Sequence, residues 1–192
     1  TGGIPEAGPA WALAGLIAGT GGQGAANQIT WNSGSTLAVD TTNNGGSSTY
    51  DGNIGNFRTT GGGTTNSVGF TKRGAGTLEL TGTNTFSGQL SIAATSGTLR
   101  LSGTAANAGT TMSIPTVAIG SNSSLELNVS DGLPSGSLIQ TQGAAAQMFL
   151  LPSFTQTVRS LSGNNGVVTV QGGATLTIAD QAGDDYVFGN GA

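Results

Sequence analysis

The chain has 192 residues, of which 35% are hydrophobic, 7% are charged and 35 are glycine, so any core must be thin and repetitive. It contains no cysteine, which excludes disulfides and cysteine-ligated metal sites, and no histidine, which removes the side chain best suited to acid–base chemistry near neutral pH. The five basic residues are dispersed and the net charge is −4, so nucleic acid is not an expected partner.

The amino-terminal segment, residues 1–27, is apolar and differs from everything after it. Its apolar side chains centre on Trp11, Leu13, Leu16 and Ile17. The run is too short for a membrane span and lacks flanking basic residues, so no span is predicted in this chain. We expect an arm that caps the end of a repeat or docks on a neighbouring copy.

Residues 28–192 consist of short alternating runs separated by glycine, asparagine, aspartate and serine. Alternation with a period of two marks half-buried strands, and the residues between them mark turns. A disordered, low-complexity tether is the alternative that so much glycine allows. Disordered chains usually carry high charge, whereas this one has little charge and regularly spaced Leu, Val and Ile, which favours an ordered all-β repeat.

One glycine-bounded segment recurs at a fixed distance. Residues 76–82 read GTLELTG and residues 97–103 read GTLRLSG, an offset of 21 (97 − 76) that suits one circuit of a β-helix. Repeats of this size stack, because a single unit cannot bury its apolar face alone. The predicted core columns are formed by Leu78, Leu80, Leu99, Leu101, Leu125 and Leu127.

The same register places Glu79, Arg100 and Glu126 in one outer column with alternating sign. Opposite charges on adjacent strands stabilise by a few tenths of a kcal/mol each, whereas a slip brings like charges together. The column is interpreted as register control. Unrelated solvated charges remain the alternative, because the second offset of 26 (126 − 100) differs from the first.

Residues 71–88 read TKRGAGTLELTGTNTFSG and resemble the autotransporter-associated β-strand repeat, whose pattern is approximately Lys-x-Gly-x-Gly-Thr-Leu-x-Leu. Residues 97–103 supply the second Gly-x-Leu-x-Leu rung of that pattern. The resemblance implies a right-handed parallel β-helix, or β-solenoid, located outside a Gram-negative cell. The predicted fold is therefore an all-β solenoid over residues 28–192 with a short apolar arm before it.

No catalytic set emerges from the sequence, and no cofactor is expected. Glu79 and Glu126 could face one groove, but their column also contains Arg100, and no His, Tyr or Lys joins them on the same rungs.

Two functional classes remain open. In the first, copies of the chain join head to tail into a surface filament or matrix fibre.

In the second class, the solenoid is an adhesin passenger that presents a binding surface, with cell-surface glycans as candidate ligands. A third interpretation uses outward threonines such as Thr77 and Thr98 as a flat hydroxyl surface for carbohydrate or ice. Threonine is also simply a good strand residue on a wet face, so this interpretation is the weakest of the three.

Overall fold

The structure is a computed structural model. It describes residues 31–43, 46–58, 65–103 and 116–179. Within these ranges the chain is entirely β, with sixteen short strands and no helix. The predicted arm, residues 1–27, lies outside the described residues together with Trp11, Leu13, Leu16 and Ile17.

Two six-stranded parallel sheets dominate the molecule. The first sheet contains β1 (Thr36–Asp40), β5 (Gly69–Arg73), β7 (Leu90–Ile92), β9 (Thr116–Gly120), β11 (Leu138–Gln142) and β14 (Ser160–Asn164). The second sheet contains β2 (Ser47–Tyr50), β6 (Thr77–Leu80), β8 (Gly97–Leu101), β10 (Ser123–Leu127), β12 (Gln147–Leu150) and β15 (Val167–Val170). The chain visits the two sheets alternately, which is the winding of a parallel β-solenoid.

Among the described residues, a third side is strand-like near the carboxyl end, where β13 (Thr155–Val158) pairs in parallel with β16 (Thr175–Ile178). In an earlier coil this side is made by connecting segments that also stack, as when the amide of Thr85 donates to the carbonyl of Ile54 at 2.7 Å. A short antiparallel pair, β3 (Phe57–Arg58) with β4 (Thr65–Asn66), forms a separate two-stranded sheet.

The register of the second sheet reproduces the spacing seen in the sequence. Thr77 faces Thr98 and Leu80 faces Leu101, which is a shift of 21 residues. The next pairing joins Leu99 to Leu125, a shift of 26. Each pairing keeps leucine opposite leucine, because side chains alternate along a strand and only a matched parity keeps the apolar set inside.

The core is a set of columns that run along the solenoid axis. One column of the second sheet consists of Leu78, Leu99, Leu125 and Met148, and the next consists of Tyr50, Leu80, Leu101, Leu127 and Leu150. The main column of the first sheet consists of Leu37, Phe70, Leu90, Val117, Ile139 and Leu161. All of these side chains are buried. Each leucine removed from water stabilises the fold by about 1.5–3 kcal/mol before entropy is counted.

Candidate functional site: charged face, polar corner and open end

The charged column lies on the outer face of the second sheet. Glu79 is paired in register with Arg100, and Arg100 with Glu126. Arg100 forms its ion pair with Glu126, since Arg100 Nε lies 2.7 Å from Glu126 Oε2. Both side chains retain solvent contact, with exposed fractions of 37% and 21%, so the pair resembles a surface salt bridge in strength.

Glu79 is engaged differently from Glu126. Its Oε1 accepts a hydrogen bond from Ser102 Oγ at 2.6 Å. Ser102 Oγ in turn accepts from Asn128 Nδ2 at 3.1 Å, so the network spans three successive coils. Both carboxylates are therefore held by neighbours on adjacent coils, as expected of groups that fix the relation between coils.

A hydroxyl column runs beside the charged one. Thr77, Thr98 and Ser124 follow each other in register on the outer face, with Gln147 next in line. Ser124 Oγ donates to Gln147 Oε1 at 3.3 Å. Adjacent strands are about 4.7–4.9 Å apart, so these side chains form a regular polar ladder that is accessible from solvent.

A shallow cleft on the third side has a volume of about 230 Å³ and is lined by Asp131, Leu133, Ser135 and Thr157. Pockets that enclose a small-molecule ligand usually measure about 300–1,000 Å³. Among the described residues, no group of three or more His, Cys, Asp or Glu side chains is placed to hold a metal ion.

The least expected residue is Lys72, which the sequence reasoning did not single out. It lies in β5 with a fully buried side chain. Its Nζ donates hydrogen bonds to the carbonyls of Gly74 and Ser96, and to that of Gly76 at 3.0 Å. The available signal was parity, because Lys72 is two residues from inward-facing Phe70 and is in register with Ile92.

The electrostatics of Lys72 follow from its burial. Removal from water lowers the pKa of its ammonium group to about 8, and the nearby carboxylate of Asp40 opposes that change. The pKa of Asp40 is itself lowered, mainly because Thr42 donates side-chain and backbone hydrogen bonds to it. Lys72 is therefore still mostly protonated at neutral pH, inside the solenoid.

The two ends of the described solenoid differ in exposure. In the first coil, Leu37, Ser48 and Tyr50 are buried, with exposed fractions of 5%, 1% and 2%. In the last described coil, Val170 and Ile178 are 45% and 43% exposed although they continue inward-facing columns. The apolar core therefore reaches the surface at the carboxyl side of the last described coil.

The comparisons with known proteins agree with this architecture. Residues 70–94 match the family model described as passenger-associated-transport-repeat. The matched segment contains all but the first residue of β5, then the corner, β6 and β7. Together with the parallel solenoid, the match over this segment fits an autotransporter passenger-like repeat.

Comparison with curated proteins and with solved structures gave no match. The described part of the chain contains no helix that is long and apolar enough to cross a membrane.

Proposed function

We propose that this chain is a structural, passenger-like β-solenoid, secreted by or displayed on a Gram-negative bacterium, whose copies assemble head to tail into a filament or matrix fibre. The passenger-associated repeat at residues 70–94 supports the extracellular setting. The solenoid supports the structural role, because the stability of a repeat fold is spread along its stacked units.

The open last coil is the observation that carries the assembly step. Among the described residues, β14, β15 and β16 each end their sheet, with no further strand on the outer side. Unpaired strand edges recruit further strands. Val170 and Ile178 add apolar surface that a following coil would cover.

A second copy of the chain is the partner that fits this end best. An incoming coil must match the spacing and the side-chain parity of the two main sheets, and the chain's own first coil, with β1 and β2, presents strands of that kind. A contact between unlike ends does not close on itself, so it propagates as a fibre. The apolar arm of residues 1–27 is the segment we expect to dock on the neighbour.

The test compares Ile178→Lys with Thr177→Lys by analytical ultracentrifugation and negative-stain microscopy. Both positions lie on β16 and both are exposed, but only Ile178 continues an inward-facing column. Ile178→Lys should shorten or abolish fibres because an ammonium would be buried at the contact, whereas Thr177→Lys should leave them unchanged. Deletion of residues 1–20 should weaken assembly while the solenoid stays folded.

The adhesin passenger is the second candidate, and the accessible ladder of Thr77, Thr98 and Ser124 favours it. In that case the purified chain stays monomeric at high concentration and both lysine variants behave alike. If the unaltered monomeric chain binds immobilised glycans and Thr98→Val does not, the result would support the adhesin function and overturn the proposal of fibre assembly.

A further inference from the structure

A tight corner joins the first sheet to the second between β5 and β6. It consists of Gly74, Ala75 and Gly76, and both glycines have positive φ, 76° and 83°. A side chain is poorly tolerated in that conformation. The carbonyls of residues 74–76 lie in this corner, outside the strands, and backbone carbonyls removed from water need hydrogen-bond donors.

Side chains supply most of those donors. Lys72 Nζ donates to the carbonyls of Gly74 and Gly76, and Thr41 Oγ1 donates to that of Ala75 at 2.7 Å. The amide of Thr98 adds a second bond to the Gly76 carbonyl at 3.0 Å. All three corner carbonyls are therefore satisfied, and a single ammonium group serves two of them.

The same ammonium group reaches the next coil. It donates to the carbonyl of Ser96, which precedes β8. Thr41 belongs to the preceding coil, where it follows β1. Residues of three successive coils thus meet at this corner, and the ammonium group of Lys72 joins two of those coils.

We propose that Lys72 is a built-in cation that locks the register of consecutive coils, and that this is the physical role of the Lys-x-Gly-x-Gly segment at residues 72–76. This role concerns the solenoid itself and is independent of whether copies assemble. If β5 slipped by one residue against its neighbouring strands, Lys72 would turn outward and Arg73 would turn inward. Arg73 would then be buried without the carbonyl partners that Lys72 has. Burying a charge without partners is strongly unfavourable, so the misaligned stack is penalised more than the aligned one is stabilised.

A second consequence follows from composition. Lys72 is the only lysine of the chain, so its burial sequesters every side-chain primary amine. The folded chain then offers no lysine to amine-directed acylation or cross-linking. Because Lys72 is the single lysine, its reactivity reports on the opening of the corner without any engineered residue.

The experiment measures acylation of Lys72 by an amine-reactive ester at pH 8.5, followed by peptide mass spectrometry. In the full folded chain Lys72 should react at least about 100-fold more slowly than in the same chain in urea, because the corner must open first. Equal rates in both conditions would overturn the lock.

Hydrogen exchange at Thr98 provides the second readout, because its amide donates to the Gly76 carbonyl. Lys72→Met should accelerate that exchange at least about tenfold, whereas the matched neighbour Arg73→Met, at an exposed position, should not change it. Equal exchange in both variants would contradict the proposal. Should Lys72→Met fail to fold, acylation of the unaltered chain decides the question alone.

Discussion

Leu99 shows how a single inward side chain is placed in a solenoid. It is fully buried and lies in register between Leu78 and Leu125, one coil to each side. A shortened side chain at this position leaves a gap that the flanking coils cannot fill without losing their own register. The penalty therefore combines lost transfer free energy with a cavity.

Leu99→Ala should lower the free energy of unfolding by about 2–5 kcal/mol, and Leu99→Asp should prevent folding because it buries a carboxylate among leucines. Urea unfolding followed by far-ultraviolet circular dichroism measures both. Thr98→Ala, on the outer face of the same strand, serves as the control. A Leu99→Asp variant with a normal spectrum and melting temperature would contradict the core assignment.

Neighbouring strands of the second sheet contact each other through side chains on the outer face as well as through leucines in the core. Arg100 on β8 pairs with Glu126 on β10, while Glu79 on β6 accepts from Ser102 beyond the end of β8. Exposed ion pairs contribute little singly to stability, and register control by this column stays a prediction.

A double-mutant cycle at Arg100 and Glu126 should therefore give a coupling free energy of about 0.3–1 kcal/mol, decreasing with added salt. Arg100→Met and Glu126→Gln are suitable because they remove charge with little change in length. The same cycle between Arg100 and Glu79 should give a smaller value, since Glu79 is engaged by Ser102. Equal coupling in both cycles would show that the column acts through charge alone and not through the observed pairing.

The whole molecule behaves as a stack in which each coil is stabilised by its neighbours, so stability depends on position along the axis. Central strands such as β8 and β10 have a strand on each side, whereas β15 has one neighbour, β12. In the first coil Leu37 and Tyr50 are buried, whereas Val170 and Ile178 in the last described coil are exposed.

Native-state hydrogen exchange should show this asymmetry. In the monomeric chain, amides of β8 and β10 should exchange most slowly and those of β15 and β16 faster, because opening the last coil breaks contacts on one side only. In assembled fibres the protection of β15 and β16 should rise toward that of the central strands. Uniform protection along the monomer would mean that the stack unfolds as a single cooperative unit.

The sequence by itself determined the β class, the repeat and the parity of the columns. Alternation in segments such as residues 77–80 and 98–101 dictates which side chains share a face, and the offset of 21 dictates which residues stack, as the pairing of Leu78 with Leu99 shows. The location of the acidic and basic column followed from the same parity.

Only the tertiary structure decided how polar groups near the core are satisfied. Lys72 looks like a surface residue by type, and its position inside depends on carbonyls of Gly74, Gly76 and Ser96 that converge only after two coils have stacked. The sequence also left open which glutamate forms the ion pair with Arg100, because the register places Glu79 on one side of it and Glu126 on the other. Side-chain reach and competing hydrogen bonds, such as that from Ser102 to Glu79, select between them, and neither is encoded in spacing.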